Sequence, residues 1–272
     1  MSPIFDSHLH IIDPRFPLVA NQGYLPGFFT SLDYHAHTAD LKQSVGLEAR
    51  GGAVVAGSFQ AFDQTYLEAA LAELAPGFVG VTQLPFDTTD AEIIRLDQLG
   101  VRAVRFNLFR GGAPDLRQLD AFARRVHAIA GWHSEFYVNA ADLWDPTRAD
   151  FSESGRMIGA LPAISIDHLG LTPEGLPALL ELAGRGARVK ATGFGRLESV
   201  PAFDLAKTMQ AIVRENPAAL MFGSDLPGTR APRKFRSDDI TLIRAALSEF
   251  NDADRLIHGV LYQNAVDFYR IA

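Results

Sequence analysis

Two histidines separated by one residue, His8 and His10, end the first apolar stretch of the chain, which begins at Ile4. Because side chains alternate along a β-strand, both imidazoles are predicted to point to one side, with Phe5 and Leu9 on the other. Two imidazoles at the end of a strand can polarise a carbonyl group or hold a metal ion. A purely structural histidine pair would have the same spacing, so the rest of the chain must distinguish the two interpretations.

Polar residues also end most of the other apolar stretches. The sixth stretch runs into Asp167 and His168, and the eighth runs into Ser224 and Asp225. A buried charge is tolerated only when it is paired or functional. This density of charge at the ends of apolar stretches therefore predicts a catalytic constellation rather than packing.

Cationic and other polar residues form a second group at the same positions, although the chain has a formal net charge of -7. Alternation along the fourth stretch predicts that Arg105 and Asn107 face inwards. Guanidinium groups bind carboxylates in bidentate geometry, so we predict an anionic substrate, although any single arginine could instead pair with a loop carboxylate. The predicted substrate-binding residues are Arg105, Arg110, Asn107, Tyr137, Asn139, Lys190, Arg196, Arg230, Tyr24, Ser58 and Gln83.

The elements that position these residues alternate regularly along the chain. Each apolar, β-branched stretch precedes a helical pattern, such as the one that begins after Thr89 and ends at Gly100. Repeated βα units imply a parallel sheet, and eight of them predict a single-domain (β/α)8 TIM barrel over residues 1–272, with a doubly wound open sheet as the alternative. The predicted strands are 4–10, 52–58, 78–83, 102–108, 135–139, 163–168, 187–192 and 219–224.

A long first loop, residues 11–38, is rich in glycine, proline and aromatic residues. We predict that it covers the active site and that Tyr24 closes over it.

Composition narrows the class of protein. The chain is 47% hydrophobic and 21% charged, and it has no apolar run long enough to span a bilayer, so no membrane partner is expected. Its start shows no signal peptide, and the absence of cysteine fits a cytoplasmic enzyme. The negative net charge argues against nucleic acid as a partner. The oligomeric state stays open, and a homo-oligomer is compatible with the sequence.

Three motifs together resemble the amidohydrolase superfamily: the N-terminal His-x-His, the segment Asp167-His168-Leu169-Gly170, and Asp225 at the end of the eighth stretch. Val104-Arg105-Phe106-Asn107 and Ser224-Asp225-Leu226-Pro227 are similar to the branch that contains 2-pyrone-4,6-dicarboxylate hydrolase and related lactonases. The resemblance spans the whole chain and implies a (β/α)8 barrel, in agreement with the strand count.

The resemblance also implies roles for the residues at the strand ends. Asp225, which has no cationic neighbour in the sequence, would take a proton from water as general base. His8, His10 and His168 would polarise the substrate carbonyl directly or through one metal ion.

The fifth stretch departs from the superfamily pattern. Members with two metals generally carry a lysine or histidine there, whereas this stretch reads Ser134-Glu135-Phe136-Tyr137-Val138-Asn139, and His133 precedes it as a structural or exposed residue. We therefore expect no bridged two-metal centre. The sequence leaves open one Zn²⁺ held by His8, His10, His168 and Asp225, or turnover without a required metal, which the resemblance slightly favours.

The predicted function is a hydrolase that opens a small anionic lactone, one that carries carboxylates, by attack of water on the ester carbonyl. Two alternatives remain. One is a metal-dependent decarboxylase of the same superfamily, and the other is a non-catalytic barrel that binds an aromatic-acid metabolite.

Overall fold

Eight parallel strands form the centre of the molecule, in a computed structural model that describes residues 1–74, 76–111 and 115–271. Each strand pairs in parallel with the next one along the chain. The predicted TIM barrel is confirmed. Its strands are β1 (Ser2–Leu9), β2 (Leu47–Val55), β3 (Phe78–Thr82), β4 (Val101–Asn107), β5 (His133–Tyr137), β6 (Ile164–Ile166), β7 (Arg188–Ala191) and β8 (Leu220–Phe222).

The last strand meets the first through a short seam at their carboxyl ends. The Asp225 N–H donates to the carbonyl of His8 at 2.8 Å, and the His10 N–H donates to the carbonyl of Leu226 at 2.8 Å. Leu9 and Leu226 form an isolated parallel bridge between these two bonds. The seam therefore aligns the N-terminal histidines with the aspartate that follows β8.

Helices alternate with the strands, and none in the described part of the chain is long and apolar enough to cross a bilayer. Thr89 caps its helix as predicted, because its hydroxyl accepts the Glu92 N–H. A short antiparallel hairpin was not predicted; its two strands, Trp144–Asp145 and Asp150–Phe151, are two residues long. The α-helices are α1 (Ser31–Ser44), α2 (Thr65–Leu74), α3 (Asp90–Gln98), α4 (Leu116–Ala130), α5 (Glu153–Gly159), α6 (Leu176–Gly184), α7 (Phe194–Leu197), α8 (Leu205–Glu215), α9 (Ser237–Leu247), α10 (Ala253–His258) and α11 (Asn264–Tyr269).

Helix α1 begins earlier than the pattern indicated, so the first loop is shorter than the predicted 11–38. Thr30 and Asp33 form a capping box: the Asp33 N–H donates to the Thr30 hydroxyl at 3.3 Å, and the Thr30 N–H donates to the Asp33 carboxylate at 2.8 Å. Tyr34 and Leu41 are the apolar side chains that this helix buries. With so few apolar residues, the hydrophobic pattern of this helix is weak, which explains why its start was predicted too late.

The hydrophobic core has an outer and an inner part. Leu9 belongs to the outer cluster between strands and helices. Phe5, predicted to share the face of Leu9, lies instead in the inner cluster and stacks on Tyr269 with ring centroids 5.5 Å apart. The pairing of β1 with β2 shifts register between Asp6 and Leu9, and such an irregularity interrupts the alternation of side chains. The prediction for Phe5 was therefore wrong.

Candidate active site

A cavity of about 40 Å³ lies at the carboxyl ends of the strands, where TIM-barrel enzymes have their active sites. His8 lies one layer deeper and is fully buried, with its ring centroid 5.1 Å from that of His10 and 4.9 Å from that of His168. The predicted residues that line the cavity are His10, Tyr24, Ser58, Arg105, Asn107, Arg110, Tyr137, His168, Arg196, Asp225 and Arg230.

Three predicted wall residues do not line this cavity, which corrects the expected positions of Lys190 and Asn139. Lys190 is buried beneath the cavity, where its ammonium group donates to Glu135 at 2.5 Å. The Asn139 side chain caps the turn after β5 and accepts the hydroxyl of Thr172 at 2.8 Å, so it faces that turn. Gln83 borders a neighbouring cavity.

His8, His10 and Asp225 converge within the site. The Nδ1 of His10 donates to the carbonyl of Val55 at 2.7 Å, because a carbonyl can only accept. Its Nε2 therefore faces Asp225 Oδ1 at 3.6 Å, and the Nε2 of His8 lies 3.7 Å from the same oxygen. Burial lowers the pKa of His8 to about 4, so this imidazole is neutral at pH 7.

Two of the predicted catalytic residues have unusual backbone angles. His168 has φ +50° and Asp225 has φ +58°, in the left-handed region that non-glycine residues seldom adopt. Gly193, with φ +72°, makes room for His168, since a Cβ there would lie 2.8 Å from its Nδ1. Conformations of this kind persist where the surrounding structure enforces them, and they are concentrated at functional sites.

The charge on Asp225 is favoured by its neighbours. Burial opposes its ionisation, but interactions with His168, His10 and nearby cations outweigh this and hold the pKa of Asp225 below its usual range. Burial also lowers the pKa of His168, so the permanent cation nearby is Arg196, whose Nη2 lies 3.7 Å from Asp225 Oδ2. Asp225 has no cationic neighbour in the sequence, but Arg196 of α7 reaches it in the folded barrel.

Arg105 borders the cavity, but its guanidinium already has partners. Its Nε and Nη2 donate to Asp167 Oδ2 at 3.0 and 2.8 Å, and its Nη1 donates to the carbonyl of Ala56 at 3.0 Å. Both side chains of the ion pair are buried. The expected free guanidinium is therefore replaced by a structural pair that fixes one wall of the cavity.

The other cavity arginines have donors to spare. Among the described residues, no carboxylate lies within 4 Å of Arg110 or Arg230, and the buried Nε of Arg196 has no hydrogen-bond partner. Arg110 and Arg196 both donate to the hydroxyl of Tyr137, at 3.4 and 3.3 Å. Buried donors are normally satisfied, so an unpaired donor on a residue that lines the cavity makes Arg196 a candidate to bind a ligand oxygen.

The first loop contributes Tyr24 to the rim of the cavity. The guanidinium of Arg230 lies 4.2 Å from the centroid of the Tyr24 ring, within range of a cation–π interaction. The Arg230 N–H donates to the Tyr24 hydroxyl at 3.3 Å. These contacts connect the first loop to the segment that follows β8.

Asp167 was noted among the charges at the strand ends, but the sequence assigned neither it nor Glu135 a role in the network that supports the site. Asp167 links Arg105 to His8, since its Oδ1 lies 3.3 Å from Nδ1 of His8. Glu135 accepts from Lys190 and, at 3.0 Å, from Nε2 of His133, which is structural as predicted. Alternation along β6 could have identified Asp167, because it lies on the same face as Ser165. His168 does not follow this alternation, since its backbone is in the left-handed conformation.

Three of the four expected ligands are close enough together to hold one divalent metal ion. Ligand atoms of His8, His10 and Asp225 lie within 4.8 Å of one another, and His168 instead forms a second such group with His8 and Asp167. Ligands about 2.0 Å from a tetrahedral ion are about 3.3 Å apart, close to the distances of 3.6 and 3.7 Å found here. His10 also has the backbone hydrogen bond typical of a metal-bound imidazole. The first group therefore fits one ion, although not the four ligands expected.

Asp6 gives the protein a measurable pH dependence. Burial raises the pKa of Asp6 to about 6. Hydrogen bonds from Ser224, His8 and Tyr34 lower the pKa, but burial has the larger effect. Its contribution to stability is fully present below pH 3.8 and is lost as the pH rises through about 6. When the pH is lowered from 7 to 4.5, protonation of Asp6 should add about 2 kcal/mol to the free energy of unfolding of the wild type. Asp6→Asn should lack this gain. Urea unfolding at both pH values measures this difference.

The matched control for that measurement is Asp238→Asn, since Asp238 is an exposed carboxylate on α9. It should keep the wild-type pH dependence. An unchanged pH dependence in Asp6→Asn would show that Asp6 is ionised over the whole range.

Fold and site together are those of a barrel enzyme, with the candidate catalytic residues at the carboxyl ends of the strands. The chain belongs to the amidohydrolase family, whose model matches residues 5–271. The resemblance predicted from the sequence motifs is thereby confirmed.

Individual relatives narrow the comparison. The chain is 29% identical over 170 residues to a 2-pyrone-4,6-dicarboxylate hydrolase of Comamonas testosteroni, a match that covers 61% of this chain and 51% of the relative. The chain thus spans about half the length of this curated relative. A solved structure from Pseudomonas putida, named as a candidate 2-pyrone-4,6-dicarboxylic acid hydrolase, is 26% identical with a TM-score of 0.77 and coverage of 98% and 97% of the two chains.

A second solved structure shows the likeness of fold alone. It comes from Acinetobacter baumannii, contains citric acid and is also named as a candidate 2-pyrone-4,6-dicarboxylic acid hydrolase. Its identity to this chain is 21% and its TM-score is 0.75, with coverage of 98% of this chain and 99% of that one.

Proposed function

We propose that the protein hydrolyses a small lactone that carries one or more carboxylates. The observation that carries this proposal is a pair of unsatisfied buried groups in the described part of the chain, Arg196 Nε and Asp225 Oδ2. Both belong to residues that line one cavity. A free cationic donor suits a substrate carboxylate, and a free carboxylate oxygen suits the proton of an attacking water.

The relatives support the same substrate class. Proteins similar to this chain are named for the hydrolysis of a pyrone dicarboxylate, which is a cyclic ester with two carboxylates. Arg110, Arg196 and Arg230 provide cationic groups for such an anion in a protein whose net charge is -7. A local cationic cavity is what an acidic protein needs to bind an anion.

In the proposed mechanism, Asp225 takes a proton from water while the water oxygen bonds to the ester carbonyl carbon. The bond between that carbon and the ring oxygen then breaks, and Asp225 returns the proton to the ring oxygen, so the product is an open-chain acid. His10 and His168 line the cavity and stabilise the charge on the carbonyl oxygen, while His8 packs against both rings one layer deeper. Interactions with His168 and His10, together with the permanent charge of Arg196, favour the ionised form of Asp225 for the first step.

His8, His10 and Asp225 would hold a metal ion if the enzyme uses one. Such an ion would supply Lewis-acid polarisation of the carbonyl. The roles of Arg110, Arg196 and Tyr137 in binding the substrate are the same with or without it.

A panel of carboxylated and neutral lactones, assayed by proton release with and without chelator, tests the proposal. We expect hydrolysis of at least one carboxylated member. Decarboxylation that depends on a metal would favour the decarboxylase alternative, and saturable binding without any turnover would favour a non-catalytic barrel.

Replacing Arg110 with methionine tests recognition of the substrate charge. We expect kcat/KM for a carboxylated lactone to fall by about 30- to 150-fold, because a charge-assisted contact is lost. A neutral lactone of equal ring size should change by less than about 2-fold, since it does not use the contact.

Arg117→Met is the matched control, since Arg117 is an exposed arginine of α4 that does not line the cavity. It should leave both rates unchanged. Equal losses on the charged and the neutral lactone in Arg110→Met would contradict the anion-binding role of Arg110.

A further inference from the structure

A second cavity, of about 330 Å³, adjoins the catalytic cavity on the side of β3 and β4. Ser58, Arg105 and Asn107 line both cavities, so the two adjoin along these residues. The shared boundary is held in place because the Arg105 guanidinium is locked by Asp167 and by the carbonyl of Ala56. We call this second space the side cavity.

The walls of the side cavity are largely apolar. Leu84, Phe86, Phe106 and Leu108 line it, and Phe62 lies at its rim with 58% of its surface exposed. Polar groups, including the predicted substrate ligand Gln83, occur among them. Apolar walls with a few polar groups are typical of sites that bind small organic molecules.

The walls are also preformed. Phe106 stacks on Phe136 of the barrel core, with ring centroids 5.4 Å apart, and Phe86 packs against both Phe106 and Phe122. Leu84 and Phe106 are nearly buried, at 7% and 6% exposure. Because the protein already orders these side chains, a ligand group that enters the side cavity loses little binding energy to rearrangement.

The sizes of the two cavities point to different parts of one ligand. The catalytic cavity, at about 40 Å³, has room for only a few water-sized groups, since one water needs about 10–15 Å³. It accommodates the reacting carbonyl and its water, and most of a substrate must lie outside it. The side cavity, at about 330 Å³, is within the usual size range of ligand pockets.

We infer that the side cavity binds an apolar substituent of the substrate. This inference rests on the proposed lactone hydrolysis and refines its substrate class. The preferred substrate is a carboxylated lactone with an aromatic or branched alkyl group on the ring edge that faces β3 and β4. The carboxylate is bound by Arg110 and Arg196, and the apolar group contacts Leu84 and Leu108.

Binding of two matched dicarboxylates, glutarate and 3-phenylglutarate, tests this inference by calorimetry without requiring turnover. We expect the wild type to bind 3-phenylglutarate about 10-fold or more tightly than glutarate, because the phenyl ring leaves water for an apolar cavity. Two variants fill the side cavity, Leu84→Phe and Leu108→Phe, the second at a half-buried position that tolerates a larger side chain. In each, the preference should fall below about 2-fold, with glutarate affinity unchanged.

Leu99→Phe is the control, since Leu99 follows α3, is 42% exposed and borders neither cavity. It should keep the wild-type preference. The inference is overturned if the wild type binds both probes equally or binds neither, or if both filled variants keep the preference. A preserved preference in a protein that hydrolyses no lactone would instead overturn the proposed reaction and leave the side cavity as a binding site for apolar groups.

Discussion

The Asp225→Asn variant is expected to turn over a carboxylated lactone about 100-fold more slowly than the wild type, or slower still. General acid–base catalysis contributes about 10²–10⁴ to the rate, and asparagine cannot accept the proton from water. The amide has nearly the same shape, so it can still occupy the space between His10 and Arg196. Steady-state kinetics at saturating substrate measure the effect as a loss of kcat.

Two measurements separate this loss of chemistry from a loss of structure. The dissociation constant of glutarate should change by less than about 3-fold, because the binding arginines are intact. The exposed Asp238→Asn should retain wild-type kcat. If Asp225→Asn kept near wild-type turnover, another group would have to be the base.

The second large effect is expected in Arg105→Met, and it is an effect on stability. The substitution leaves Asp167 as a buried carboxylate without its bidentate partner. Breaking a buried ion pair on one side costs about 3–5 kcal/mol, so the free energy of unfolding should fall by that amount in urea titrations. Charged and neutral lactones should then lose activity together, as the fraction of folded protein falls.

A double variant and a surface control test the cause. Replacing Asp167 with leucine in the Arg105→Met background removes a buried carboxylate whose remaining cationic contact is Lys190 at 3.6 Å, and should recover much of the lost stability. Arg102→Met breaks the partly exposed contact of Arg102 with Asp97 at 3.1 Å and should cost less than about 1 kcal/mol. If Arg105→Met were as stable as the wild type and lost activity only on the charged lactone, Arg105 would bind the substrate carboxylate, as the sequence suggested.

Much of the site was predictable because it depends on local rules. Alternation along a strand places Asn107 and Tyr137 on inward faces, and the barrel brings the carboxyl ends of all strands to one end. His10 and Asp225 follow from the same reasoning, since His10 comes directly after β1 and Asp225 lies three residues after the end of β8. These residues line the catalytic cavity.

Other features depend on distances that a sequence does not encode locally. The partner of Arg105 is Asp167, 62 residues away, and strand order alone does not determine which acid meets which base across a barrel. Lys190 was predicted to line the cavity but lies beneath it for the same reason, since its ammonium group pairs with Glu135 on another strand. A local irregularity is equally hidden, as the register shift in β1 that turned Phe5 inwards shows.

The seam between β1 and β8 has a consequence for how the enzyme becomes active. His8 and Asp225 come from opposite ends of the chain and meet only when the last strand bonds to the first. Contacts between residues so distant in sequence carry a large loop-closure cost and are expected late in folding. During synthesis, the two proposed catalytic residues therefore come together only when β8 is added to the barrel, so we expect a polypeptide that lacks β8 to process no substrate.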